Sequence, residues 1–241
     1  AYEISRGLVG SEMCIRDRFG AVHRKHASVY DVAKRLPSYL GDLVKKEVDV
    51  LAKTLNNPER PFVVIMGGAK VSDKLAVIEN LIGKADSILI GGGMGYTFAA
   101  AEGYKVGNSI LEAGQIDVVK RYMEEASAKG TEIVTPVDAI YASEFSNEAQ
   151  TEVRPIEDLE GGELGAEGQG LDVGPETNKL FAEKIKSAQT IFWNGPVGVA
   201  EFSTFAEGTK SVAEAIVASD GFSIIAVSYT HLRAHETEAD L

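Results

Sequence analysis

Apolar residues recur along this chain with two spacings. Short, β-branched runs stand at 62–66, 87–90, 131–134, 190–193 and 222–227, and each predicts a buried strand. Between them apolar residues return every third or fourth position. Leu75, Ile78, Leu81 and Ile82 predict a helix over 72–84, and a short helix follows at 97–102. Ile116, Val119, Met123 and Ala126 predict another, closed by Lys129-Gly130, and Leu180, Phe181 and Ile185 one more that opens at Pro175. Thr204 and Glu207 fit a capping box for a helix running to Val217. Upstream, Leu40, Leu43, Val44, Val48 and Leu51 predict a helix over 37–55, with Pro37 in its first turn. Residues 136–174 are irregular, acidic and Gly-rich, and read as loops with a few short strands.

Strands alternating with amphipathic helices predict an α/β fold, a parallel sheet with helices on both faces. Ligands in such sheets bind at the carboxyl ends of the strands. Three of the predicted strands end in Gly67-Gly68, Gly91-Gly92-Gly93 and Asn194-Gly195-Pro196, where glycine lets a ligand approach the backbone closely. These loops match neither common nucleotide motif. Counting from Gly67 or Gly68, the second glycine of a P-loop falls on Ser72 or Asp73. Gly91 and Gly93 begin a dinucleotide fingerprint whose third glycine is Tyr96. Lys70 and Lys74, four apart at a predicted helix start, would share one face beside a favourable dipole. The residues alone support an α/β domain that binds a phosphorylated ligand.

The 241 residues suffice for one large or two small domains, and 44% of them are hydrophobic. The 24 basic residues against 36 acidic ones give a net charge of −12 and disfavour a nucleic-acid partner. A phosphate ligand would then be held by backbone amides and a few placed lysines. No apolar run approaches the roughly 18 residues of a membrane span, and no secretory signal is visible, so no membrane association and a cytoplasmic location are expected. Cys14, the one cysteine, excludes an internal disulfide framework.

Gly67-Gly68-Ala69-Lys70-Val71-Ser72-Asp73-Lys74, Gly91-Gly92-Gly93-Met94, Gly170-Leu171-Asp172-Val173-Gly174-Pro175 and Trp193-Asn194-Gly195-Pro196-Val197-Gly198-Val199 resemble phosphoglycerate kinase in order and spacing. So do His23-Arg24 and their neighbours and the Pro-Glu-Arg-Pro at 58–61. The resemblance implies two domains facing across a cleft: an N-terminal one for 3-phosphoglycerate or 1,3-bisphosphoglycerate, and a Rossmann-like C-terminal one for ADP or ATP with Mg2+. The expected reaction is phosphoryl transfer between 1,3-bisphosphoglycerate and ADP, in glycolysis, by a monomer. By resemblance Lys70 sits at the transferring phosphoryl group and Lys74 at the nucleotide phosphates. Gly68, Gly92, Gly170, Asn194, Gly195 and Val197 contact the nucleotide, Glu201 accepts from the ribose hydroxyls, and Arg24 with His23 holds the triose. Taken singly, these are equally a solvated lysine pair, turn glycines and a basic surface loop. A nucleotide-binding module without turnover and a dehydrogenase-type domain remain as alternatives, the failed third glycine counting against the latter.

Two departures from the family pattern stand out. Ala200 occupies a position where the family usually has an aromatic residue, and Gly20-Ala21-Val22-His23-Arg24-Lys25-His26 varies a motif usually read Gly-Thr-Ala-His-Arg-Ala-His. The chain is expected to comprise the end of an N-terminal substrate domain at 19–36, a linker helix at 37–57 and an incomplete nucleotide-binding domain at 58–227. Residues 1–18 and 228–241 read as foreign sequence. The loop expected to carry the magnesium carboxylate does not follow Val227, so low activity of the isolated chain is expected.

Overall fold

A computed structural model describes Lys25 and residues 27–226. The chain divides between Pro58 and Glu59 into two compact units. In the first, a π-helical turn at Ala27–Asp31 precedes an irregular stretch and then α1 (Asp42–Asn56). The helix begins five residues later than Pro37, the predicted start. Gly41 ends the irregular stretch, and its carbonyl accepts the Lys45 N–H at 2.9 Å. Glycine serves as an N-cap but costs about 1 kcal/mol in a helix interior, so the helix starts after it. His23 and Arg24 lie outside the described residues.

The second unit contains eight strands among the described residues: β1 (Phe62–Met66), β2 (Ser87–Ile90), β3 (Glu132–Val134), β4 (Asp138–Ala142), β5 (Thr151–Pro155), β6 (Gln169–Val173), β7 (Thr190–Asn194) and β8 (Phe222–Ile225). Its helices are α2 (Leu75–Leu81), α3 (Met94–Glu102), α4 (Ile116–Ala128), α5 (Pro175–Lys186) and α6 (Glu207–Val217). A five-stranded sheet, parallel throughout, has the order β3-β2-β1-β7-β8. β1 sits at its centre, with Val63 opposite Ser87 on one side and Ile191 on the other.

Alternation along the strands sets the two faces. Val63, Ile65, Leu89, Ile191 and Trp193 pack with Phe181 and Ile185 of α5 and Val212, Ala215 and Ile216 of α6. Phe62, Val64, Met66, Ile88 and Ile90 point the other way and are fully buried as well. Burial on both faces explains why these strands read as continuous apolar runs.

The few short strands expected among the loops of 136–174 are β4, β5 and β6, and they join in a second sheet of order β5-β4-β6, antiparallel throughout. Tyr141 of β4 is completely buried and its hydroxyl donates to the Gly165 carbonyl at 3.0 Å. Tyr141 packs with Tyr96, Ala139, Ile156 and Leu159. β5 is half-exposed and charged, so its local sequence carries little strand signal; pairing with β4 supplies it.

Three helix starts also move. α3 begins at Met94, directly after the glycines that follow β2. It is buried nearly all round, which erases the one-sided period that marks surface helices. α2 is confined to Leu75–Leu81, so Lys70 lies in a loop before it and Lys74 at its N-cap position. The lysine pair therefore does not share a helical face. The capping box at Thr204 does not form: α6 starts at Glu207 without a side-chain cap, and the Thr204 hydroxyl donates to the Asn147 carbonyl at 2.8 Å.

Candidate functional site

The sheet order identifies the site before any side chain is considered. From β1 the chain winds outward to β2 and β3, then returns to place β7 on the other side of β1. Connections thus leave β1 and β7 in opposite directions, and the crevice beyond their carboxyl ends is the switch point at which such sheets bind ligands. Gly67-Gly68 follow β1, Gly91-Gly92-Gly93 follow β2, and Gly195-Pro196-Val197 follow β7, whose last residue is Asn194.

The three loops are laced together through their backbones. The Gly67 N–H donates to the Asn194 carbonyl at 2.9 Å and the Gly68 N–H to the Pro196 carbonyl at 3.0 Å. The Gly92 N–H donates to the Val197 carbonyl at 2.8 Å, and the Met94 N–H to the Gly68 carbonyl at 3.1 Å. Much of the glycine requirement is this mutual approach rather than room for a ligand. Gly92 has φ +67°, and a Cβ there would lie 2.6 Å from the Gly68 carbonyl oxygen. Gly195 has φ +92°, and a Cβ would lie 2.6 Å from the Gly67 carbonyl oxygen.

Lys74 and Asn194 meet over this floor: the Lys74 ammonium donates to the Asn194 side-chain carbonyl. Partial burial lowers the Lys74 pKa, with the neighbouring Asp73 charge acting against it. An ammonium that has given up part of its hydration is primed to accept an anion. Lys70 is exposed on the same loop. Between the two lysines, the Ser72 amide and hydroxyl both donate to the Glu112 carboxylate, at 2.9 and 2.7 Å.

Beside the floor is a small cavity bounded by Gly92, Tyr96, Leu171, Asp172 and Val197. The Val197 side chain is fully buried, against the space a side chain on Gly91 would need. The space a side chain on Gly170 would fill is taken by the Tyr96 ring. Asp172 is buried, its carboxylate accepting the Val173 and Gly208 N–H groups, each at 2.9 Å. Burial, reinforced by Glu207, pushes its pKa up to about 7 against those two bonds. Glu201 is exposed in the turn ahead of a short 3-10 turn, Ser203–Phe205, and Ala200 is half-buried beside it.

The structure thus brings together Gly68, Lys70, Lys74, Gly92, Asn194, Gly195 and Val197. Glu112, which sequence patterning did not single out, joins them through Ser72, and Tyr96 and Asp172, named in the sequence without a site role, line the cavity beside them. Only folding brings Glu112 against Ser72, 40 residues away along the chain, and Asp172 against Gly208, 36 residues away.

The family model for phosphoglycerate kinase matches residues 7–239 of the chain. The chain belongs to the phosphoglycerate kinase family. It is 58% identical over 211 residues to phosphoglycerate kinase from Renibacterium salmoninarum, covering 88% of this chain and 51% of that protein. It is 56% identical to the Arthrobacter sp. strain FB24 enzyme, over 88% and 52%. Among solved structures, phosphoglycerate kinase from Coxiella burnetii matches with a TM-score of 0.73 and 38% identity, over 77% of this chain and 46% of that one. The Pyrococcus horikoshii enzyme matches with a TM-score of 0.73 and 29% identity, over 85% and 51%. The chain spans about half the length of these phosphoglycerate kinases. The family match runs beyond residues 19 and 227, the limits of the motif resemblance.

Proposed function

We propose that this chain supplies the nucleotide-holding part of a phosphoglycerate kinase, the enzyme that passes a phosphoryl group reversibly between 1,3-bisphosphoglycerate and ADP. The observation that carries the reading is the Lys74–Asn194 pair over the glycine floor at the β1/β7 switch point. ADP or ATP would lay its phosphates across Gly68, Gly195 and Lys74. Its base would lie toward Gly92, Gly170 and Val197, with Glu201 accepting from the ribose.

Phosphoryl transfer is catalysed chiefly by positioning and by cations facing the equatorial oxygens. Lys70, exposed four residues before Lys74, is assigned to the transferring group. Arg24 and His23 are assigned to the triose. Among the described residues no group of three or more His, Cys, Asp or Glu side chains could hold a metal ion. Mg2+ would arrive bound to the nucleotide phosphates, its carboxylate expected from the loop that does not follow Val227.

Calorimetric titration tests the reading. The chain is expected to bind ADP, and Lys74→Ala to weaken that binding at least about tenfold, as for loss of a bond to a charged group. Undiminished ADP affinity in Lys74→Ala would refute the assignment. A coupled assay with 1,3-bisphosphoglycerate separates a catalyst from a binding module, which would bind ADP without turnover.

A further inference from the structure

We infer that Glu112 is a positioning residue that holds the Lys70–Lys74 loop in the geometry needed for phosphate contact. The inference rests on the nucleotide reading above. Between Gly68 and the start of α2 the chain has no strand or helix to hold it. One internal bond, from the Lys74 N–H to the Val71 carbonyl at 2.9 Å, closes a turn, and the Val71 side chain is fully buried beneath it. The ends of the stretch are held by the Gly68 backbone bonds and by Lys74 on Asn194; its middle is held by Glu112, which lies just after Leu111 in the segment joining α3 to α4.

The Glu112 carboxylate takes both donors of Ser72, the residue midway between the lysines, while its own N–H donates to the Thr97 hydroxyl of α3 at 3.2 Å. The loop is thereby tied to a helix buried against the core. The Ser72 amide, followed by the Ser72 hydroxyl, the Val71 amide and the Lys70 charge, holds the Glu112 carboxyl below its usual range, so at neutral pH it is an anion. Two flexible cations are thus mounted on a loop pinned at its midpoint, which lowers the ordering entropy of binding.

The test compares ADP with adenosine, which shares the base and ribose but has no phosphates. Glu112→Gln keeps the shape and removes the charge. It is expected to weaken ADP binding about tenfold, the scale of a hydrogen bond to a charged group, and to leave adenosine binding unchanged. Ser72→Ala removes one of the two bonds at an exposed position. It should weaken ADP about threefold, and the double variant should bind no worse than Glu112→Gln alone. Thermal melts that coincide with the parent's establish that the variants are folded; should Glu112→Gln not fold, Ser72→Ala decides. Equal losses for ADP and adenosine, or unchanged ADP affinity in a folded variant, would overturn the positioning role. Failure of the parent chain to bind ADP would overturn the nucleotide reading and the inference with it. ADP binding that depends on Lys74 but not on Glu112 or Ser72 would overturn the inference alone.

Discussion

At Gly195 the backbone conformation and the neighbouring loop agree on one residue. A φ of +92° strains any side chain, and the added Cβ would press on the Gly67 carbonyl, which cannot move without disturbing β1. Gly195→Ala is expected to destabilise the protein by about 2 kcal/mol or more, read by urea unfolding. A loss within error would show that the loops can part. Asp172 makes a different kind of prediction. Its carboxyl rises from 3.8 when unfolded to about 7 when folded. Between those values the native state retains a proton that the unfolded chain has released, so this group's contribution to stability falls as pH rises through that window. Asp172→Asn removes the titration. The variant should gain stability relative to the parent as pH goes from 4.5 to 7.5, an interval inside or bordering the window. A difference that does not change with pH would contradict the shift.

Elements are tied to one another by single polar side chains, and α5 is the clearest case. It starts at Pro175 with Gly174 as N-cap, a residue with no side chain to cap the helix. Asp138 of β4 caps it instead, accepting the Glu176 N–H at 3.0 Å and the Thr177 N–H at 2.8 Å. The Thr177 hydroxyl also donates to Asp138, at 2.7 Å. Asp138→Ala would orphan buried donors and is expected to cost about 1–3 kcal/mol. Hydrogen exchange should show the loss first at the Glu176 and Thr177 amides; unchanged protection there would contradict the cap. Much of the element content was legible from period alone, because β1, β2 and β7 are buried on both faces and α4, α5 and α6 on one. Two cases were legible only in part. The period places α3 at 97–102, three residues short of its start at Met94, because the helix is buried nearly all round, and β5, within a stretch of loops and short strands, is a strand chiefly because β4 lies beside it.

For the whole molecule, the net charge of −12 favours solubility, yet one margin of the parallel sheet works against it. Among the described residues β8 is the outermost strand on its side, with Phe222 56% and Ile225 54% exposed. Exposed apolar edge strands template association. Phe222→Lys is expected to reduce concentration-dependent light scattering without lowering the melting temperature; equal scattering would point to another surface.

The sequence by itself determined the alternation of strands and helices, the glycine-ended strands, the two lysines and the family to which they belong. All of these are local in the chain, written in spacing and residue type. Tertiary structure alone decided that the glycine loops close on one another, and that Lys74 meets Asn194 across 120 residues. It also decided that Asp138 of β4 caps α5, some 38 residues on, and that Glu112 ties down the lysine loop. Each of these joins groups distant along the chain, and such a contact exists only once the entropy of bringing them together has been overcome by the burial of the core.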